Sequence, residues 1–256
     1  MDLNLFIVSI VEGLTEFLPI SSTAHLILVS KLLSVDLLLP YTKFYLLVIQ
    51  IGALLAGIFL FSKRIFTERN LLRNILISFI PSAIVGFVLY KTFKQLLEGN
   101  LLLISLMLFV GGVIFIYLEK YLEISEEKTK TELTPTDAFI VGLAQAVAIV
   151  PGVSRSGATI IAGMLLGVKK SVIIEYTFIL ALPTLGSAVL YDTYKSVELF
   201  SEFNNYGSLL FGVLVSFIVA FITLQALKKH LTSISLSAFG IYRVVLALFI
   251  LSVYIF

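Results

Sequence analysis

The sequence has no cysteine and no tryptophan, only two histidines, and few charges: 13% of its 256 residues are Asp, Glu, Lys or Arg. Without cysteine there is no disulfide, no thiolate metal site and no cysteine nucleophile. A soluble domain is about 25% charged, so a soluble globular enzyme is excluded. With 18 basic against 16 acidic residues the net charge is +2. That leaves no strongly basic face of the kind a nucleic-acid partner needs. What fills the chain is apolar: 59% of residues are hydrophobic and the mean hydropathy is +1.07. That excludes a disordered chain and marks an all-α polytopic membrane protein.

A helix needs about 20 mostly apolar residues to cross the hydrocarbon core. Six stretches meet this, at roughly 44–62, 74–90, 101–119, 172–191, 207–228 and 237–256. They run on without alternation, which excludes a transmembrane barrel. Two more apolar stretches are interrupted. Residues 3–33 are broken by Pro19 and Ser21-Ser22-Thr23, and residues 136–168 by Pro151-Gly152 and Ser154-Arg155-Ser156. Each half is too short to span, and irregular backbone at membrane depth is tolerated only when buried in protein or lining a wet cavity. Both stretches are therefore expected to be re-entrant helix hairpins. A cleaved signal peptide is not expected, because Met1-Asp2 is not basic and the polar cluster interrupts the apolar region.

Basic residues set the expected orientation. If the first hairpin enters and leaves on one side, the loops at 63–73, 120–135, 169–171 and 228–236 share the other. These loops carry Lys63, Arg64, Arg69, Arg73, Lys120, Lys128, Lys130, Lys169, Lys170, Lys228 and Lys229, against Lys31, Lys43, Lys91, Lys94 and Lys195 opposite. Eleven against five puts the richer side in the cytoplasm and both termini outside.

The two broken stretches are similar to each other. Gly13-Leu14-Thr15-Glu16 matches Gly142-Leu143-Ala144-Gln145, and a proline and a serine-rich turn follow in both. Phe79-Ile80-Pro81 also echoes Ala181-Leu182-Pro183. The expected plan is a single membrane domain over 1–256. It has inverted-topology repeats at 1–119 and 136–256, a cytoplasmic linker at 120–135, and two broken tips meeting near the midplane.

The chemistry-bearing residues sit at those tips. Glu12 and Glu16 are one helical turn apart and share a face. A charge at membrane depth costs about 2.5–3.5 kcal/mol, so such a pair points to function more than to chance. Ser21, Ser22 and Thr23 open a new helix, whose free N–H groups and dipole favour an anion, and His25 lies on the face of Ser21 and Ser22. The second tip has Ser154, Arg155, Ser156 and, one turn on, Thr159. Arginine forks onto phosphate oxygens. Alternatively, Arg155 could serve as a structural partner of Glu12 or Glu16, which is compatible with phosphate binding. The carboxylates suit Mg²⁺ or Ca²⁺ bridged to substrate phosphates, and the apolar composition suits a lipid substrate.

Glu12-Gly13-Leu14-Thr15-Glu16-Phe17-Leu18-Pro19-Ile20-Ser21-Ser22-Thr23-Ala24-His25-Leu26 strongly resembles the first signature of the undecaprenyl-diphosphate phosphatase, or bacitracin-resistance, family. Pro151 to Thr159 is similar to the second, and Ile49 to Ala53, Ile80 to Ala83 and Tyr242-Arg243 also look like family features. The one departure is Ala24, where the family usually has glycine. The resemblance covers nearly the whole chain. It implies removal of the terminal phosphate from a polyprenyl diphosphate in the plasma membrane, a divalent cation (Mg²⁺ or Ca²⁺) held by Glu12 and Glu16, and a site facing outside. By motif it also implies catalytic roles for Glu12, Glu16, Ser22, His25 and Arg155, and substrate contacts for Ser21, Thr23, Ser154, Ser156 and Thr159. Ser22 is the expected nucleophile, with His25 or water as rivals. Glu16 or His25 is the expected base. The expected partners are the lipid substrate and membrane lipid; a homodimer is left open. The competing reading is a transporter or flippase for a polyprenyl phosphate or another anion. Two carboxylates beside an anionic substrate favour the hydrolase.

Overall fold

A computed structural model describes residues 2–97, 100–122, 130–195, 206–231 and 233–255. Among these residues there are ten α-helices: α1 Leu3–Thr15, α2 Ser22–Leu32, α3 Pro40–Thr67, α4 Arg69–Leu97, α5 Leu101–Leu122, α6 Pro135–Ala146, α7 Arg155–Leu165, α8 Lys170–Lys195, α9 Tyr206–Lys229 and α10 Leu236–Ile255. Residues 123–129 of the expected linker, Lys128 included, lie outside the described residues.

Six of these helices are long and apolar enough to cross a bilayer: α3, α4 over Arg69–Leu89, α5 over Leu101–Tyr121, α8, α9, and α10 over Leu236–Val253. They are the six expected spans, and the chain is a multi-pass membrane protein. The other four, α1, α2, α6 and α7, have 11 to 13 residues. That makes them about 17–20 Å long, short of the ~30 Å apolar core.

The short helices pair into two hairpins. Asn4 Nδ2 donates to the Leu33 carbonyl at 3.2 Å, which brings the start of α1 to the end of α2. At the second hairpin, Lys130 N donates to Gly167 O at 2.7 Å and Lys169 N to Lys130 O at 2.9 Å. Lys130 Nζ also reaches Asp137 Oδ1 at 2.8 Å, so the end of α7 lies beside the start of α6. Thr134 and Asp137 form a capping box that fixes where α6 begins. Helix α3, 28 residues long and so about 42 Å, runs from the base of the first hairpin to that of the second. The bases of the two hairpins therefore lie at opposite ends of α3, and their tips meet.

The expected basic face is a single end of the molecule. Arg64 pairs with Glu175, and Asn74 Nδ2 donates to Leu133 O at 2.7 Å. Glu119, at the end of α5, accepts from Lys170 Nζ, Leu236 N, Ser237 N and Ser235 Oγ. One carboxylate thus caps the start of α10, where the helix dipole favours a negative charge.

Apolar lipid gives helices no hydrophobic reason to associate, so close packing of small residues does that work. On α3, Gly52 and Ala56, and Ala53 and Gly57, form small-xxx-small pairs, and Gly52 lies against the α9 backbone at Val213 and Phe217. Equivalent contacts recur in both halves. Gly13 of α1 lies against the Ser216 carbonyl of α9, and Gly142 of α6 against the Ser78 carbonyl of α4. Gly112 of α5 and Gly240 of α10 each face the other's carbonyl. The proline echo does not fit this scheme. Pro81 is in α4, the second long helix of the first half, and Pro183 is in α8, the first long helix of the second. Two apolar residues before a proline are too common in such helices to fix a register.

Candidate active site

Both hairpin turns are strained in the same way. Ser21 and Ser154, the residues preceding α2 and α7, each have φ of 70°, a region that non-glycine side chains rarely occupy outside functional turns. Gly152 takes φ of 93°, which its missing Cβ allows. Ser154 Oγ accepts from Gly157 N at 3.2 Å and caps α7. Ser21 makes no such side-chain cap, so its hydroxyl is left for other use.

The turns enclose a cavity of ≈ 170 Å³ lined by Glu12, Glu16, Ser21, Ser22, Thr23, Gln50, Ser154, Arg155 and Ser156 together with Leu18, Leu26, Ala148, Val150, Pro151 and Gly152. Pockets that enclose a whole drug-sized ligand usually hold at least about 300 Å³, so this one is of a size for a small polar group. A larger cavity, ≈ 660 Å³, lies at the basic end between Arg64, Arg69, Arg73, Glu68, Glu132 and Glu175. It shares no residue with the tips and is not this site.

Glu16 joins the two hairpins. Its Oε1 is 2.8 Å from Arg155 Nη2, and its Oε2 accepts from Ser22 Oγ at 2.6 Å. Arg155 Nη1 also donates to the Ala181 carbonyl at 3.0 Å, so the guanidinium is anchored to α8. Ser156 Oγ donates to Leu18 O at 2.9 Å, a second tie between the tips.

Beneath them lies Glu12. It is fully buried, and neither carboxylate oxygen has a hydrogen-bond partner. An unpaired buried carboxylate is costly, so this orphan acceptor fits a cation beside it. Among the described residues no group of three or more His, Cys, Asp or Glu could hold a metal. Two carboxylates could supply part of the oxygen shell of a hard divalent cation such as Mg²⁺ or Ca²⁺.

Two expected site residues stand behind the cavity instead of lining it. His25 is buried, with Nδ1 2.8 Å from Ser21 O and Nε2 2.6 Å from the Tyr242 hydroxyl. With both ring nitrogens engaged it faces away from the cavity and is badly placed to attack phosphorus or move a proton there. Thr159 turns the other way, to Arg155 O at 3.1 Å and Thr177 Oγ1 at 2.9 Å. On a helix, the residue one turn beyond Arg155 faces α8. The cavity also includes Gln50, which was not among the expected site residues; its signal was a lone amide within an apolar run.

Two helix hairpins with bases at opposite ends, meeting at an acid, a hydroxyl and a guanidinium inside a bundle of six long apolar helices, define a polytopic membrane protein with a buried polar site. The chain belongs to the bacitracin resistance protein BacA family, whose model matches residues 5–249. It is 43% identical to the undecaprenyl-diphosphatase of Sulfurihydrogenibium sp. (strain YO3AOP1) over 248 residues, 96% of each chain. It is 41% identical to that of Campylobacter fetus over 250 residues, 95% of each chain. The undecaprenyl-diphosphatase of Aquifex aeolicus is 39% identical over 254 residues, covering 98% of this chain and 97% of that one.

Proposed function

We propose that this protein is a membrane hydrolase that removes the terminal phosphate from an undecaprenyl-type polyprenyl diphosphate. The products are inorganic phosphate and the lipid monophosphate that carries cell-envelope glycans. The observation that carries this reading is the Glu16 carboxylate bonded at once to the Ser22 hydroxyl and the Arg155 guanidinium. The relatives named above support it.

Phosphoryl transfer is mostly a matter of positioning and charge stabilisation. In this mechanism the diphosphate head enters between the tips and Arg155 holds its oxygens, with the N–H groups at the starts of α2 and α7 aimed at the same space. Ser22 Oγ attacks the terminal phosphorus while Glu16 takes its proton. The bond from that phosphorus to the bridging oxygen breaks, Glu16 passes the proton to the departing phosphate oxygen, and the lipid monophosphate leaves. Water activated by Glu16 then hydrolyses the phosphoserine. Glu12 and Glu16 would hold a divalent cation, which when bound neutralises charge on the phosphate oxygens. His25 supports the turn behind Ser22 and takes no proton from substrate.

The excess of basic residues at the second hairpin's end supports placing that end in the cytoplasm, with both termini and the site outside. The two short hairpins are read as re-entrant, and the matched contacts of the two halves support an inverted-topology repeat.

The test is phosphate release from farnesyl or undecaprenyl diphosphate by purified protein. Glu16→Ala and Arg155→Ala should each abolish release while the protein still inserts. A chelator should abolish it in the native chain, and Mg²⁺ should restore it. Near-normal turnover in either variant would overturn the mechanism.

A further inference from the structure

Helix α10 carries one charged residue in twenty, Arg243. Its side chain is 1% exposed and is the largest fully buried one among the described residues, and no carboxylate pairs with it there. Its partners are backbone carbonyls. Nη1 donates to Pro19 O at 3.0 Å; Nη2 donates to Gly152 O at 3.0 Å, Val153 O at 3.1 Å and Met107 O at 3.2 Å; and Nε donates to Leu108 O at 3.4 Å.

These carbonyls come from three places. Pro19 is in the first hairpin's turn, Gly152 and Val153 are in the second's, and Met107 and Leu108 are in α5. A broken helix leaves such carbonyls unpaired, and membrane depth offers them little water. The guanidinium, with its planar fan of donors, answers both turns at once. The neighbouring residues leave room for it. A Cβ at Gly111 would fall on Nη2, and one at Gly157 would come within 3.2 Å of Nη1.

The preceding residue extends the hold. The Tyr242 hydroxyl is 2.6 Å from His25 Nε2, their rings are stacked at 3°, and His25 Nδ1 is 2.8 Å from Ser21 O. Consecutive residues of α10 therefore fix Pro19 directly and Ser21 through His25, on either side of Ile20 and immediately before Ser22.

We propose that Arg243 is a positioning residue that sets the separation of the two hairpin turns, and through it the Glu16–Arg155 contact, with Tyr242 and His25 fixing the Ser21–Ser22 step. The proposal rests on the mechanism above for its kinetic consequence. A lysine offers three donors from one point and cannot replace a planar fork that reaches two turns. Misplacing reacting groups by about 1 Å costs on the order of 10²-fold in rate. Arg243→Lys, taken as folded monodisperse protein, should therefore lose on the order of 10²-fold in kcat with KM within about three-fold. Tyr242→Phe should lose less, and adding His25→Ala to it should cost little more, because the two act in one chain.

The spacing itself can be read without activity. Spin labels on Leu14→Cys and Val147→Cys, in a chain that otherwise has no cysteine, report the distance between the hairpins. That distribution should be narrow in the chain that keeps Arg243 and broad in Arg243→Lys and in Arg243→Gln. A kcat in Arg243→Lys within three-fold of native, or an unchanged distance distribution, overturns the proposal. Activity retained in Glu16→Ala or Arg155→Ala would overturn the catalytic reading and leave the distance measurement to decide on Arg243.

Discussion

Glu16 cannot serve its two partners in the same way throughout a turnover. It accepts from Ser22 at 2.6 Å, where it is placed to take that proton, and it also bonds Arg155 at 2.8 Å. An arriving phosphate competes for the same guanidinium and frees the carboxylate to act. Ser22→Ala should then reduce phosphate release by on the order of 10³-fold or more, since the attacking hydroxyl is gone. In the native enzyme, acid quenching during turnover followed by mass measurement should find phosphate on Ser22. Glu16→Gln, which keeps the shape and loses the base, should cost on the order of 10²–10⁴-fold. Most of this site was legible in the sequence because hydroxyls, acids and a guanidinium inside apolar runs are conspicuous. What could not be read was direction. Spacing put His25 on the face of Ser21 and Ser22 but could not show that Tyr242, 217 residues away, takes its ring nitrogen. The role of Arg243 was hidden for the same reason: five carbonyl partners leave no pattern in side chains.

At the scale of the element, the hairpins were legible because each half is too short to cross a bilayer. Their packing was not, because it rests on backbone meeting backbone. Gly142 illustrates this: a Cβ there would fall on the Ser78 carbonyl, whereas one at Gly86 would meet nothing within 4 Å. Gly142→Ala should lower stability in detergent by about 1–3 kcal/mol. Gly86→Ala should be neutral or slightly stabilising, as for an exposed helix interior; denaturation curves of the two variants distinguish them. The base of the second hairpin should also respond to pH. Burial alone would push the Asp137 carboxyl up, but Lys130 and the Thr134 donors outweigh it and hold the group below its ordinary value of 3.8. A lowered value means this contribution is complete above 3.8 and fades as pH falls through the folded value. The melting temperature should therefore drop on acidification in that range, and by less in Asp137→Asn.

At the scale of the molecule, the absence of native cysteine makes orientation directly measurable. Leu38, 72% exposed near the first hairpin's base, and Phe66, 83% exposed at the basic end, suit single cysteine replacements. An impermeant maleimide should label Leu38→Cys on intact cells and reach Phe66→Cys only after permeabilisation. The six spans were the most legible level of all, because length and apolarity alone decide them. The site they enclose was not visible in any one span, since Glu16 and Arg155 are 139 residues apart and meet only through the fold. This separation also bears on synthesis. A nascent chain with only its first half in the bilayer holds Glu16 and Ser22 but lacks Arg155. Even a chain that has added the second hairpin lacks its staple until residue 243 leaves the ribosome. With the roles proposed above, a product terminated before the second hairpin would be inert, and one terminated before α10 would be a weakened phosphatase.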